Sequence, residues 1–166
     1  MESYEHLIKR LEIRDFDEEK EIPEDLIRKV VEAGRLAPSA MNRQPWRFMI
    51  IREKDRLKKL ASIKSSARFV GKAGFAVAIY VKETRFSVID ATRAISTMQF
   101  AAWALDPPIG SCFNFGWEEE KVAEILGAID GFILFTIIPF GYPQNPKIVG
   151  KKKRLPWSEV IIDSFD

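Results

Sequence analysis

The stretch GFAVAIYV, at Gly74–Val81, decides the fold class because it is apolar from end to end. An apolar run of strand length without polar alternation indicates a strand that is buried on both faces. It therefore predicts a sheet that other elements cover on each side. Two further strands are predicted, WRFMII at Trp46–Ile51 and GFILFTIIPF at Gly131–Phe140. A shorter strand is predicted at Ile109–Asn114.

Helical patterns separate these strands. Pro23 begins a helix with Glu24 and Asp25 in its first turn, where acidic side chains suit the helix dipole. This helix is predicted to end near Leu36, because Pro38 disfavours helical backbone at the residue before it. Other helices are predicted at Ser3–Lys9, Lys54–Ile63, Val88–Leu105 and Glu118–Leu126. The alternation predicts an α+β chain whose helices cover both faces of one sheet.

Composition limits the classes of function. The chain has 166 residues, a length that suits one domain over residues 1–166, and its net charge is only +2. Such balanced charge argues against nucleic-acid binding. Cys112, the only cysteine, allows no internal disulfide, and no apolar run approaches the roughly 18 residues of a membrane span. We therefore expect a cytoplasmic protein that binds neither nucleic acid nor membrane.

A polar segment, APSAMNRQPW at Ala37–Trp46, follows the second predicted helix directly. Ser39, Asn42 and Gln44 offer a hydroxyl and two amides, and amides both donate and accept hydrogen bonds. A flat heterocycle with alternating C=O and N–H edges needs that mixture. Proline, serine and asparagine are also common turn residues, so these residues alone leave an ordinary turn as the alternative.

No other pattern indicates chemistry carried by side chains. The sequence has no GxGxxG, no P-loop and no spacing of His, Cys, Asp and Glu that resembles a metal site. Cys112 has no base near it in sequence, because the only histidine, His6, lies in the first predicted helix. Both residues are expected to be structural.

Several segments together resemble the FMN-dependent nitroreductase family. APSAMNRQPWRF matches the family pattern Ala-Pro-Ser-x-x-Asn-x-Gln-Pro-Trp-x-Phe at every fixed position. Weaker similarities follow in the family's order, in KRLEIRDF at 9–16, MQFAAWALDPPIGSCF at 98–113, IPFGYPQNP at 138–146 and KKKRLPWSEVI at 151–161. The resemblance implies a nitroreductase-like three-layer α/β/α sandwich with a central, mostly antiparallel sheet. It also implies a homodimer with FMN at the interface.

The resemblance assigns four basic residues to the FMN phosphate. They are Arg10, with Arg14 near it, and the pair Lys152 and Arg154. Guanidinium groups match phosphate in a fork, although solvated basic side chains remain the alternative for each of the four. Glu12 stands where the family has a serine, and a carboxylate would repel a phosphate. Glu12 is therefore expected to turn away, onto Arg14.

The resemblance also places two segments against the flavin ring. Pro38, Ser39 and Asn42 are expected to line the isoalloxazine, contributed by the neighbouring subunit, while Gln44 holds the loop together. The segment from Ser111 to Gly116 is expected to pass over the other face of the ring. Glycine at its end lets the backbone approach a ligand closely.

The implied activity is that of an oxidoreductase whose chemistry belongs to its cofactor. NADH or NADPH would give hydride to flavin N5, and a nitroaromatic, a quinone or a similar acceptor would then take the electrons in a ping-pong mechanism. Phe113, Phe115 and Trp117 are candidate lining residues, with ordinary core as the alternative. Two other functions stay open, a flavin-binding carrier or sensor with little turnover, and a flavin-free dimeric interaction module.

Two apolar features favour the dimer independently of the resemblance. MQFAAWAL, in the second half of the long predicted helix, is apolar almost all round, so it is expected to be buried centrally or in a subunit interface. The closing segment Trp157–Phe165 is apolar but has little chain around it. Such a segment needs a partner surface.

Overall fold

The computed structural model describes residues 2–145 and 152–162 of the chain. Its α-helices are α1 Glu2–Lys9, α2 Glu24–Arg35, α3 Lys54–Ile63, α4 Ser87–Trp103, α5 Glu119–Leu126 and α6 Trp157–Val160. Its strands are β1 Trp46–Ile51, β2 Phe75–Val81, β3 Gly110–Ser111 and β4 Ile133–Gly141. Two 3₁₀ segments lie at Ala40–Asn42 and Ser65–Lys72. The predicted bounds of β1 and α3 are confirmed at both ends.

The four strands form one sheet in the order β1-β2-β4-β3, and every neighbouring pair is antiparallel. All residues of β2 are buried, as its unbroken apolar sequence predicted. Because successive side chains of a strand point to opposite faces, β2 serves two cores at once. Val77 and Ile79 enter one core, and Ala76 and Ala78 enter the other.

Helices cover both faces of this sheet. On one face α2 and α4 pack over the core that contains Val77 and Ile79. On the other face α3, α5 and the 3₁₀ segment Ser65–Lys72 pack over the second core. The predicted three-layer α/β/α sandwich with an antiparallel sheet is therefore confirmed.

Local sequence explains how α2 meets α4. Pro23 precedes the first turn of α2, and the helix stops at Arg35, shortly before Pro38. Gly34 faces α4 so closely that a Cβ built on it would lie 2.6 Å from Met98 Cγ. A larger residue at this position would require the Met98 side chain or the helices themselves to shift, and α4 carries one wall of the groove described below.

Strand β3 is much shorter than predicted. The sequence indicates Ile109–Asn114, but only Gly110 and Ser111 pair with β4. Beyond them, side chains replace the ladder: a carboxylate oxygen of Glu12 accepts from the Phe113 N–H. The Asn114 carbonyl accepts from the Thr136 hydroxyl. The chain therefore leaves the sheet where side-chain oxygens and hydroxyls take over the backbone bonds.

The membrane prediction can be compared with the helices. Among the described residues, no helix is both long enough and apolar enough to cross a membrane. The prediction of a single domain stays a prediction. The predicted closing segment is described only as far as residue 162, so its last residues lie outside the described part.

Candidate functional site

The loop between α2 and β1 has an unusual backbone. Met41, Asn42 and Gln44 all have left-handed conformations, with φ of 52°, 54° and 50°. Residues other than glycine adopt this region rarely and at a free-energy cost, so the surrounding structure must hold them there. Strained segments of this kind concentrate at functional sites.

Hydrogen bonds within this loop, and one between the loop and α4, hold its backbone in place. The Ser39 hydroxyl oxygen accepts from the Gln44 backbone N–H at 2.9 Å, and the Gln44 side-chain amide donates to the Asn42 carbonyl at 3.1 Å. The predicted role of Gln44 in the loop is confirmed. From α4, the buried Asp90 carboxylate accepts from the Ala40 N–H at 2.9 Å. Sequence analysis missed Asp90, although an acid on the apolar face of a buried helix was the available signal.

A groove runs from this loop along the outer face of α4. Val88, Ile89 and Phe100 leave 64%, 52% and 39% of their surface exposed along it. Its lining consists of one loop residue and one face of the helix, namely Pro38, Val88, Ile89, Thr92, Arg93, Ser96, Thr97 and Phe100. At its far end the Arg10 guanidinium carbon lies 5.5 Å from the centre of the Phe100 ring.

Three predicted cations meet at that far end. The pKa of the Lys152 ammonium group is lowered by its burial and by the positive charges of Arg10 and Arg154 nearby. Lys152 and Arg154 form no ion pair with any carboxylate in the described part of the chain. The repulsion between these positive charges raises the energy of the free protein, and a bound anion relieves it.

Arg14 lies apart from these three cations. Its guanidinium carbon is 6.0 Å from the centre of the Phe69 ring, and its side chain is exposed. Arg14 is not among the charges that lower the pKa of Lys152.

Glu12 does not turn away onto Arg14, so that expectation is wrong. One carboxylate oxygen of Glu12 accepts from Arg10 Nη1 at 2.6 Å, and the other accepts from the Phe113 N–H at 2.7 Å. The neighbouring backbone explains the difference, because Glu12 pairs with Ser111 in a parallel bridge beside β3. That bridge directs the carboxylate toward residues 111–113 and Arg10.

The segment from Ser111 to Gly116 leads from the core to the surface. Ser111 is buried, and its carbonyl accepts from the Ile13 N–H at 2.9 Å. Phe115 is 65% exposed and stacks on Phe113 with ring centres 6.1 Å apart. Gly116 has φ of 79°, and a Cβ added there would meet nothing within 4 Å. Glycine is therefore suited to the conformation, and the space above it is open.

Cys112 is not a nucleophile at neutral pH. Its side chain is fully buried, and burial together with the charge of Glu12 raises the pKa of the thiol to about 12, despite the opposing charges of Arg14 and Arg10. The thiol therefore stays protonated. Within the described ranges, no group of three or more His, Cys, Asp or Glu side chains could hold a metal ion.

The arrangement suits one kind of ligand. Cations at one end of the groove can hold a phosphate, and the apolar floor along α4 can cover a flat or extended apolar part. The polar, strained loop lies at the other end. The residues present thus fit a flavin mononucleotide better than a neutral apolar molecule, which would leave Lys152 and Arg154 without a counter-charge among the described residues.

Comparisons with known proteins agree with the fold. Residues 7–81 match the model of the nitroreductase family. An Archaeoglobus fulgidus protein named "Putative NADH dehydrogenase/NAD(P)H nitroreductase" is 28% identical over 139 residues, which cover 78% of this chain and 79% of the relative. Among solved structures, an FMN-dependent nitroreductase from Clostridium difficile aligns with a TM-score of 0.82 at 24% identity, covering 96% of this chain and 98% of its own.

A second solved structure shows the same fold at greater sequence distance. The NADPH:FMN oxidoreductase of Vibrio harveyi, complexed with NAD⁺, aligns with a TM-score of 0.84 at 18% identity, covering 98% of this chain and 77% of its own. The chain thus has the nitroreductase fold. Over residues 7–81 the chain also matches the nitroreductase family model, and over most of its length it is similar to a relative named as an NAD(P)H nitroreductase.

Proposed function

We propose that this protein is an FMN-dependent oxidoreductase that uses NADH or NADPH to reduce small acceptors such as nitroaromatics or quinones. The observation that carries the proposal is the approach of Arg10, Lys152 and Arg154 to one another beside an apolar groove. The names of the similar proteins, an FMN-dependent nitroreductase and an NADPH:FMN oxidoreductase, support the same cofactor and reductant.

In this proposal the side chains bind and orient, and the cofactor reacts. Arg10, Lys152 and Arg154 hold the phosphate. Pro38 and Asn42, in the loop that Asp90 anchors, would lie against the ring of the flavin held by the neighbouring subunit. Bound FMN supplies hydride uptake at flavin N5 and electron release to an acceptor, so no side chain has to act as acid or base.

The acceptor side of the proposal rests on a stacked aromatic pair, of which Phe115 is exposed and Phe113 is partly buried. Phe113 and Phe115 stack on each other, and the Lys64 ammonium group donates to the Phe115 carbonyl at 2.5 Å. This bond holds an exposed ring in a defined place. Flat aromatic acceptors stack on such a ring in an offset arrangement. Trp117 has no open face of this kind, because it packs partly into the core.

Anaerobic spectroscopy tests the proposed activity. Purified protein mixed with FMN is expected to show a bound-flavin absorption band that bleaches on addition of NADH or NADPH and returns when a quinone is added. A bound flavin that neither nucleotide reduces would indicate the carrier or sensor. Protein that takes up no flavin would indicate an interaction module instead.

We also propose that the protein is a homodimer with its sites at the interface. The outer face of α4 exposes Val88, Ile89 and Phe100, and α1 beside it exposes Tyr4 and Leu7. An apolar surface of this kind on a folded chain marks an interaction site. The strained loop and the cations lie at its two ends, so a second subunit would close the groove.

Solution mass tests the dimer. At micromolar concentration, light scattering is expected to give twice the 19.1 kDa mass of the chain. Ile89→Arg is expected to produce a monomer that loses FMN, because it places a charge in the apolar groove. Ile133→Arg is the matched control, since Ile133 is 41% exposed but lies at the start of β4, away from the groove. A monomeric wild-type protein would refute the assembly.

A further inference from the structure

The Glu12 carboxylate already forms an ion pair with Arg10, the arginine that the proposed function assigns to the flavin phosphate. Its carboxylate oxygen lies 2.6 Å from Arg10 Nη1, a short charge-assisted contact. The Arg10 side chain is only 19% exposed, and Phe100 lies against its guanidinium group. Arg10 therefore has little freedom to leave Glu12 and meet an anion elsewhere.

The Glu12 carboxylate is also fixed independently of Arg10. Its second oxygen accepts from the Phe113 N–H at 2.7 Å, and its backbone pairs with Ser111. A carboxylate tied at two points stays in place when an anion arrives. The arriving phosphate thus meets a negative charge as well as three positive ones.

The two remaining cations differ from Arg10. In the part of the chain that the structure describes, Lys152 and Arg154 have no carboxylate partner. No described carboxylate offsets their attraction for an anion, whereas Glu12 offsets the attraction of Arg10. Two anions that compete for one guanidinium group weaken each other's binding.

We propose that Glu12 is a built-in competitor of the flavin phosphate: its carboxylate holds Arg10 and thereby sets how strongly the site selects FMN over riboflavin. This inference rests on the proposed function, because it concerns the same phosphate site. It assigns Glu12 a role in specificity, since riboflavin lacks the phosphate and does not compete for Arg10.

Glu12→Gln tests the inference, because glutamine keeps the shape and an oxygen for the Phe113 N–H but removes the charge. Fluorescence titration is expected to show FMN binding tightened by about 2- to 5-fold, the upper part of the range for a partly exposed ion pair. Riboflavin binding is expected to change by less than about 2-fold. Unchanged or weaker FMN binding, or equal tightening for both flavins, would overturn the proposal.

Three further variants isolate the contribution of the Glu12–Arg10 ion pair. Glu32→Gln is the matched control: Glu32 pairs with Arg35 at 2.6 Å on the exposed face of α2, so its neutralisation changes net charge equally but is expected to leave FMN binding unaltered. In an Arg10→Ala background, Glu12→Gln is expected to lose most of its effect. Glu12→Ser, with thermal unfolding as a check of folding, provides a second replacement that is expected to act in the same direction.

Inorganic phosphate separates this inference from the proposed function. If neither wild type nor variant binds flavin, the proposed function fails. The Glu12 proposal is then decided by calorimetric titration with phosphate, which is expected to bind more tightly to Glu12→Gln than to wild type. Phosphate binding that is equal in both proteins, or absent from both, would overturn the role of Glu12.

Discussion

Arg154→Ala is expected to weaken FMN binding by about 1 to 3 kcal/mol, the range for a hydrogen bond to a charged group. Arg154 is exposed, and its positive charge, like that of Arg10, lowers the pKa of Lys152. Among the described residues it has no carboxylate partner, so its full charge remains for a ligand. Titration of the apoprotein with FMN measures the change.

Two comparisons make this result specific to the phosphate. Riboflavin affinity is expected to be the same in Arg154→Ala and wild type. Lys153→Ala removes a neighbouring cation from the same basic run. Lys153 is not among the charges that lower the pKa of Lys152, so FMN affinity is expected to persist. Equal FMN affinity in Arg154→Ala and wild type would remove Arg154 from the phosphate site.

Phe140→Ala is expected to lower the free energy of unfolding by about 3 to 5 kcal/mol. Phe140 is fully buried in β4 and is the direct cross-strand partner of Phe75 in β2. The two rings stack with centres 4.9 Å apart and planes inclined by 9°. Truncation removes this contact and leaves a cavity beneath α2 and α4, which the sheet cannot close without shifting. Urea denaturation followed by circular dichroism measures the loss.

Phe115→Ala is the matched control, since the same atoms are deleted from a side chain that is 65% exposed. Its effect on unfolding is expected to be about 1 kcal/mol or less, because only the contacts with its ring neighbours are lost. A loss below about 1 kcal/mol for Phe140→Ala would show that the core collapses around the smaller side chain. That outcome would contradict the rigid stacking of Phe75 and Phe140.

The sheet and the helical layers on its two faces could be predicted because the sequence patterns that indicate them are local. The apolar run of β2, the helix-ending Pro38 and the periodic apolar face of α2 each act within a few residues. The predicted strand Ile109–Asn114 is longer than the observed β3, because the end of this strand depends on residues distant in sequence. Its predicted second half looks like a strand, but Glu12 and Thr136, distant in sequence, take the backbone groups that a strand would pair.

Some features of the candidate site could likewise be predicted from the sequence, and others could not. Arg10, Lys152 and Arg154 were identified by resemblance, and the charges of Arg10 and Arg154 both act on Lys152. Arg14, identified in the same way, lies over Phe69. The anchor of the polar loop, Asp90, gave no motif because it acts on Ala40, which is 50 residues away in the chain. Its role follows only from the packing of α4 under the loop.

By itself the sequence determined the layered architecture, the bounds of most helices and strands, and the residue types of the proposed flavin site. The architecture and the bounds follow from periodicity and from turn residues, which are properties of neighbouring positions, whereas the residues of the proposed flavin site were identified by the resemblance to a family. Only the tertiary structure decided the partner of Glu12, the left-handed loop at Met41–Gln44 and the groove along α4. Each depends on segments distant in sequence that the sheet brings together, and no local pattern encodes their distances.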